Sequence, residues 1–159
     1  MDRRVIIALT AVAFITLIAY GALGMRGGVR TDSGINDPPA PAITVRDLDV
    51  GQGDATYIHN GTSRVIIDGG PNARRMGFLL DSLGLNDTTI DVVILTHQHS
   101  DHYAGLLPLF DSRRHIKIRF FFEDKDPAAA RTLAELRDSI VSRVNTDGLD
   151  YRSTDDPCG

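Results

Sequence analysis

An apolar segment that leads straight into a group of histidines limits the folds open to this chain. Residues Ile90 to Leu95 are nearly all apolar and β-branched, which is the pattern of a central strand covered on both faces. Thr96 follows, and the next six residues, 97–102, include four potential metal ligands. The sequence therefore predicts a buried strand that ends in a polar loop at the edge of a sheet.

The loop carries side chains of the kind that transition metals prefer. They are His97, His99, Asp101 and His102. His97 and His99 are two residues apart in extended chain, so their side chains point the same way and can share one ion. Asp101 and His102 follow where the chain turns and can reach a second ion beside the first. Because zinc favours imidazole and carboxylate ligands, the spacing predicts a site for two Zn²⁺.

A pair of zinc ions points to hydrolytic chemistry. Two ions about 3.5 to 4 Å apart lower the pKa of a bound water toward 7 and neutralise charge on the attacked group. Asp101 is the candidate catalytic residue, since it can orient the nucleophile as well as bind metal. The alternatives are a solvated loop and a purely structural zinc site. Structural sites favour cysteine-rich ligand sets, and the single cysteine, Cys158, lies far from the loop in sequence.

Strands are predicted ahead of this loop. One runs from about 55 to 59 and another from Arg64 to Ile67, and Asn60-Gly61 between them is a strong hairpin signal, so the two should pair antiparallel. An alternating segment at Ile43 to Val45 predicts an earlier strand. The two glycines within 50–54 then favour a tight turn.

Helices and a further strand are predicted around and after the loop. Apolar residues recur at helical spacing from Ala73 to Leu83, which indicates an amphipathic helix. A short helix at Tyr103 to Phe110, a strand at Ile116 to Phe122 and a helix from Asp126 through Val144 follow. Strands that alternate with helices predict an α/β layered domain.

The N-terminus favours a membrane segment. An uncharged run of 21 residues, Val5 to Met25, follows Arg3 and Arg4. A spanning helix needs about 20 residues, whereas the core of a signal peptide has about 7 to 15. We therefore predict a transmembrane anchor over 1–25, with a cleaved signal as the alternative, and a flexible linker over 26–42. The folded domain, 43–159, is expected outside the cytoplasm, either anchored or secreted.

The loop and two glycine motifs together resemble a known family. The H-x-H-x-D-H signature of the metallo-β-lactamase superfamily is matched at all four positions of 97–102. With Asp-Val-Gly-Gln-Gly-Asp at 49–54 and Ile-Asp-Gly-Gly at 67–70, the chain is most similar to the ComEC-type competence hydrolase domain and its stand-alone relatives. The resemblance covers about 43–108. It implies an αβ/βα sandwich in which Asp68 braces the metal-ligand loop; a turn-forming aspartate is the alternative for that residue.

One part of the family pattern has no counterpart in this sequence. The family completes its two metal sites with histidines and an aspartate well downstream, and no histidine follows His115 here. His115 lies among basic residues and is predicted to be a surface residue. We therefore expect 43–159 to be the front half of the sandwich, an incomplete domain.

Charged residues outside the loop give weaker signals. Asp49 and Asp54 are assigned mainly to the glycine turn, with contact to the active site as the lesser alternative. A net charge of -4 gives no general attraction to nucleic acid. Four basic residues near the 116–122 strand are more typical of a solvated strand edge than of a phosphate site: Arg113, Arg114, Lys117 and Arg119.

The leading functional hypothesis is a zinc-dependent hydrolase that acts on phosphodiester or nucleic-acid substrates, with the substrate class resting on the resemblance alone. One alternative is a hydrolase of another ester or amide class, such as β-lactams, thioesters or other small molecules. Another is a non-catalytic, membrane-anchored remnant of such a domain. The membrane is the only partner besides substrate that the sequence indicates.

Overall fold

The computed structural model describes residues 42–124 and 131–153, which fall within one compact unit. The predicted membrane segment, nearly all of the linker, the helix start near Asp126 and Cys158 lie outside the described residues. Within them, no helix is both long enough and apolar enough to span a bilayer.

The described residues form strands, helices and 3₁₀ turns in alternation. The strands are β1 (Thr44–Asp47), β2 (Thr56–His59), β3 (Arg64–Ile67), β4 (Thr89–Leu95), β5 (Lys117–Glu123) and β6 (Asp150–Ser153). The helices are α1 (Ala73–Ser82), α2 (Ser100–Tyr103) and α3 (Arg131–Asp147), and 3₁₀ turns span Ala104–Phe110 and Ser112–Arg114.

The strands form one mixed sheet in chain order, β1 to β6. β1, β2 and β3 pair antiparallel, which confirms the hairpin predicted from Asn60-Gly61. β3, β4, β5 and β6 pair parallel, and helical segments connect them. β4 lies between β3 and β5, and Val92 through Leu95 are all buried, as its apolar sequence predicted. The α/β prediction is therefore confirmed at the level of a mixed sheet with helices.

Strand β6 was missed in the sequence analysis, which assigned no strand after the last helix. Its sequence, Asp-Tyr-Arg-Ser, has a single apolar residue and no usable alternation. Pairing with β5 stabilises it, with Tyr151 beside Phe121 and Ser153 beside Glu123. The omission was wrong because partner strands, rather than intrinsic propensity, decide the conformation of such a segment.

The helices bury the stripes that their spacing predicts. Asn72 caps α1 by accepting a hydrogen bond from the Arg75 backbone, and Met76 and Leu80 of that helix are fully buried. In α3 the buried stripe stops at Ile140, and Val144, predicted to continue it, is 40% exposed. Both helices contact the 3₁₀ segment 104–110, so the core lies between these three segments and the sheet.

Two glycines allow the end of β3 to approach the 3₁₀ segment closely. Gly105 donates its backbone N–H to Gly70 O at 2.8 Å, and Gly69 donates to His102 O at 2.7 Å. A Cβ on Gly105 would lie 1.8 Å from Gly69 O. Because a backbone oxygen cannot move aside as a side chain can, only glycine fits at this position.

We expect Gly105→Ala to lower the free energy of unfolding by roughly 3 kcal/mol through overpacking. Gly61→Ala is the matched control, because Gly61 has open space around its Cβ position and a φ of +88°. In that control the free energy of unfolding should fall by only about 1 kcal/mol, the cost of a left-handed backbone for a residue with a Cβ. Urea denaturation of both variants checks this, and equal losses would contradict the close approach.

Candidate metal centre

The predicted ligands lie at the carboxyl end of the parallel strands. β4 ends at Leu95, residues 96–99 form a loop, and α2 begins at Ser100. His99 precedes α2, and its backbone oxygen accepts hydrogen bonds from His102 N at 3.0 Å and Tyr103 N at 3.2 Å. The turn of chain after His99 therefore brings Asp101 and His102 back beside the loop.

Asp68 holds this loop from the end of β3. It is buried, 3% exposed, and has a left-handed backbone with φ 57°. Its backbone N–H donates to Ile94 O at 2.8 Å. Its carboxylate accepts from Thr96 N at 2.8 Å, Thr96 Oγ1 at 2.6 Å and His102 Nδ1 at 2.9 Å. These bonds give Asp68 the bracing contacts that the resemblance implied.

The same carboxylate sets the protons on two imidazoles. Since Asp68 accepts from His102 Nδ1, the lone pair of the neutral His102 ring is on Nε2. Thr96 gives its only hydroxyl proton to Asp68, so its oxygen accepts from His97 Nδ1 at 3.0 Å. His97 therefore also has its lone pair on Nε2. An imidazole binds metal through such a lone pair, and a carboxylate on the other nitrogen fixes the ring's orientation.

The three imidazoles lie together. The ring centroids of His97 and His102 are 3.8 Å apart, and those of His97 and His99 are 4.8 Å apart with the rings nearly perpendicular. The His102 side chain is buried, whereas His99 is exposed. The group therefore runs from the interior of the domain to its surface.

Two carboxylates face the buried ring. Asp54 Oδ2 and Asp101 Oδ2 each lie 3.9 Å from His102 Nε2. Asp54 reaches this position because Gly53 packs against α2: a Cβ on Gly53 would lie 2.1 Å from Asp101 O. Asp54 thus belongs to the candidate site, although its sequence context indicated mainly a role in the glycine turn.

Asp49 has a different role from Asp54. Its carboxylate forms an ion pair with Arg75, and its backbone oxygen accepts from Arg75 Nε at 2.7 Å. Asp49 therefore ties the glycine turn to α1, as a structural aspartate would. Asp49 and Asp54 flank the same turn, so their sequence context alone did not show that they have different roles.

The donor chemistry fits a divalent metal ion, because imidazole nitrogen and carboxylate oxygen are the ligands of catalytic zinc. In residues 42–124 and 131–153, however, no three His, Cys, Asp or Glu side chains stand as a closed ligand group in their present rotamers. Binding an ion would therefore require side-chain rotation, and the exposed carboxylates Asp54 and Asp101 have room for it.

The basic cluster near β5 is largely neutralised by carboxylates. Arg114 pairs with Asp81, and Arg119 lies 3.1 Å from Asp91. A hydrogen bond from Arg113 lowers the pKa of Asp111 to about 2. These pairings favour the interpretation of a solvated strand edge over that of a phosphate site.

His115 belongs to a different part of the domain from the histidines of the loop, directly after the 3₁₀ turn Ser112–Arg114. It is exposed and lies 3.0 Å from Asp87, in agreement with the surface position predicted for it.

The family model of the metallo-beta-lactamase superfamily matches residues 48–120, which contain the histidine loop and its supporting aspartates. These residues belong to the metallo-beta-lactamase superfamily. The segment includes Asp54, Asp68 and all four predicted ligands at 97–102. The superfamily prediction is confirmed, whereas the competence-type subgroup and the metal-ligand roles stay predictions.

Relatives with curated names match the chain over short segments. A lactamase-like protein of Pestalotiopsis microspora is 40% identical over 75 residues, which is 44% of this chain and 22% of that protein. The exodeoxyribonuclease WalJ of Streptococcus pneumoniae serotype 2 is 26% identical over 54 residues, 34% of this chain and 20% of WalJ. The chain thus spans about a fifth of the length of these curated relatives.

Two solved structures are similar in part. One, described as the hydrolase AbOPH in the beta lactamase superfamily, has 17% identity and a TM-score of 0.43, with 67% of this chain and 45% of that chain covered. The other, a diphosphatase from the PhnP family, has 18% identity and a TM-score of 0.38, with 63% and 36% covered.

The hydrogen bonds of Asp68 predict the effect of Asp68→Asn. An amide has one acceptor oxygen where the carboxylate has two, so its NH₂ group would face one of the present donors. The Thr96 backbone N–H opposite Oδ1 can only donate, so the amide oxygen keeps that position and the NH₂ group faces His102 Nδ1. The His102 ring must then reverse its tautomer and place the proton on Nε2. We expect a loss of about 1 to 3 kcal/mol in unfolding free energy and a changed ¹⁵N shift pattern for His102.

Asp87→Asn is the matched control for that variant. Asp87 also has a left-handed backbone, φ 57°, and also contacts a histidine Nδ1, that of His115, but both side chains are more than 70% exposed. The control should change neither stability nor any histidine signal of the loop. An Asp68→Asn spectrum with the wild-type His102 pattern would contradict the assignment of the tautomer.

Proposed function

We propose that this chain carries the metal-binding part of a zinc-dependent hydrolase that cleaves phosphodiester bonds. The observation that supports it most is the fixed tautomer of His102, whose Nε2 faces Asp54 and Asp101 at 3.9 Å each. A histidine needed only for packing would not require a buried carboxylate on one nitrogen and two further carboxylates near the other. Such an arrangement is typical of a metal-binding imidazole with its outer-shell partner.

In this proposal the metal is held by His97, His99, Asp101 and His102. Asp68 supports these ligands from the interior. Asp54 joins them as an additional carboxylate on the solvent side. Two bound zinc ions would acidify a water and neutralise charge on the attacked group. Asp101, whose side chain is 39% exposed, would also accept a hydrogen bond from the attacking water and so orient it.

The proposed substrate class is supported by one named relative rather than by the geometry. WalJ is named as an exodeoxyribonuclease, and it matches 34% of this chain. The net charge of -4 and the paired arginines near β5 argue against broad electrostatic binding of duplex nucleic acid. A phosphodiester held directly at the metal centre is therefore favoured over a substrate held by an extended basic surface.

We also propose that the domain is held at a membrane by residues 1–25 and lies outside the cytoplasm. The anchor rests on the length of the apolar run Val5 to Met25, and the side of the membrane is what the following experiment decides. Protease treatment of intact cells, followed by detection of the domain, would separate an exposed anchored domain from a cytoplasmic one.

Metal binding is tested on the full 159-residue chain purified in detergent micelles. We expect elemental analysis to find about two zinc ions per chain, and far less in a His97→Ala, His99→Ala double variant. His115→Ala is the control, because His115 is an exposed histidine paired with Asp87. It should keep the wild-type zinc content. Equal zinc in the wild type and the double variant would rule out this loop as the metal site.

The substrate proposal predicts a ranking among three model compounds. With zinc supplied, we expect little hydrolysis by the full chain, because the downstream metal ligands of the family have no counterpart in this sequence, and whatever hydrolysis occurs should be faster on bis(p-nitrophenyl) phosphate than on nitrocefin or an acyl thioester. Asp101→Asn should abolish the phosphodiester reaction, whereas His115→Ala should not change it. Preference for nitrocefin or the thioester would favour the ester or amide alternative, and no turnover of any compound by metal-loaded protein would favour the non-catalytic remnant.

A further inference from the structure

A second buried carboxylate lies on the other side of the histidine loop from Asp68. Glu123 ends β5, beside Leu95 of β4 and Ser153 of β6 in the strand register. Its side chain has no solvent exposure. Burying a charge costs free energy unless donors compensate for the lost water, so its partners decide what this residue does.

Glu123 has partners from three different elements. Gln98 Nε2, in the loop, donates to Glu123 Oε2 at 3.3 Å. The Tyr151 hydroxyl of β6 donates to Oε1, and Arg137 Nε of α3 lies 3.5 Å from Oε1. Burial, and then the bond to Glu123, raise the pKa of the Tyr151 phenol. The phenol therefore remains a donor, and Glu123 links the loop to both β6 and α3.

Side chains of the loop alternate between anchors and predicted ligands. Thr96 is bonded to Asp68 and Gln98 to Glu123. His97 and His99 alternate with them, and their rings contact one another at 4.8 Å. Each histidine therefore follows an anchored residue, and the two anchors hold the loop from opposite sides.

The stability of the fold does not by itself explain why a glutamine lies at position 98. Gln98 is 8% exposed, and its Oε1 is buried with no hydrogen-bond partner among the described residues. An unsatisfied buried acceptor is costly, and an apolar side chain of similar size would avoid that cost. Replacing both members of a buried polar pair by apolar side chains is often neutral or stabilising, so an apolar pair could serve the stability of the fold as well as Gln98 and Glu123 do.

We propose that Gln98 and Glu123 are positioning residues, which fix His97 and His99 for metal binding by tying their loop to β6 and α3. The inference rests on the proposed function, because it gives the two histidines a metal to bind. It adds that the C-terminal elements α3 and β6 determine the affinity of a site to which they contribute no ligand.

The test is a Co²⁺ titration of the full chain in detergent micelles, comparing wild type with Gln98→Met. Methionine keeps the volume and removes both the bond to Glu123 and the unpaired Oε1. We expect cobalt affinity to fall about 10- to 100-fold and the visible cobalt spectrum to change, while the unfolding midpoint of the metal-free protein falls only modestly, because Glu123 keeps Tyr151 and Arg137 as partners.

Thr88→Val is the matched control. Thr88 Oγ1 donates one part-buried hydrogen bond, to Leu85 O at 2.7 Å, just before β4 and at the opposite end of that strand from the loop. Its loss should leave cobalt affinity and spectrum unchanged. Glu123→Gln is the second variant should Gln98→Met fail to fold, and it should weaken cobalt binding in the same direction.

The outcomes separate this inference from the proposed function. Wild-type affinity and spectrum in Gln98→Met, or in Glu123→Gln where that variant is the one that folds, would overturn the positioning role and leave the proposed function standing. No cobalt binding by the wild type itself would overturn the proposed function, and the positioning role with it. A weakened, spectrally altered Gln98→Met beside an unchanged Thr88→Val is the supporting result.

Discussion

The hydrogen bonds that converge on Asp68 are the interaction on which the rest of the site depends. A buried carboxylate at the end of β3 has to recover the hydration that it loses, and it does so with donors from Thr96 and His102. These bonds tie the end of β3 to the loop after β4 and to α2. They also decide which nitrogen of His97 and of His102 carries the proton, so one interaction determines both geometry and chemistry.

Close backbone packing makes that convergence feasible. Gly69 and Gly105 let the end of β3 approach the 3₁₀ segment to distances that any Cβ would prevent, and Gly53 does the same for the glycine turn and α2. The glycines therefore matter for the space they leave, and Gly53, with φ 99°, also for its turn. Without that approach, Asp68 could not reach His102 and Asp54 could not face the same ring.

Local signals allowed prediction of the hairpin, β4, α1 and the ligand loop, because each depends on residues adjacent in sequence. Asn60-Gly61 specifies a turn, and an apolar β-branched run specifies a buried strand. β6 and the pairing of Gln98 with Glu123 were not predictable, since both depend on partners 25 or more residues away. The separation of Asp54 from Asp49 likewise required knowing which one meets Arg75.

The carboxylates near the loop divide into two kinds with different physical consequences. Asp68 and Glu123 are buried and held by several donors, so they cannot move without breaking bonds that low dielectric makes costly to lose. Asp54 and Asp101 are more exposed and approach His102 Nε2 only to 3.9 Å. An arriving cation would therefore meet His97 and His102 rings whose orientation is already held through their Nδ1 atoms. The carboxylates of Asp54 and Asp101 have the most freedom to rotate toward such a cation, because solvent reaches them and no buried hydrogen bond has to break.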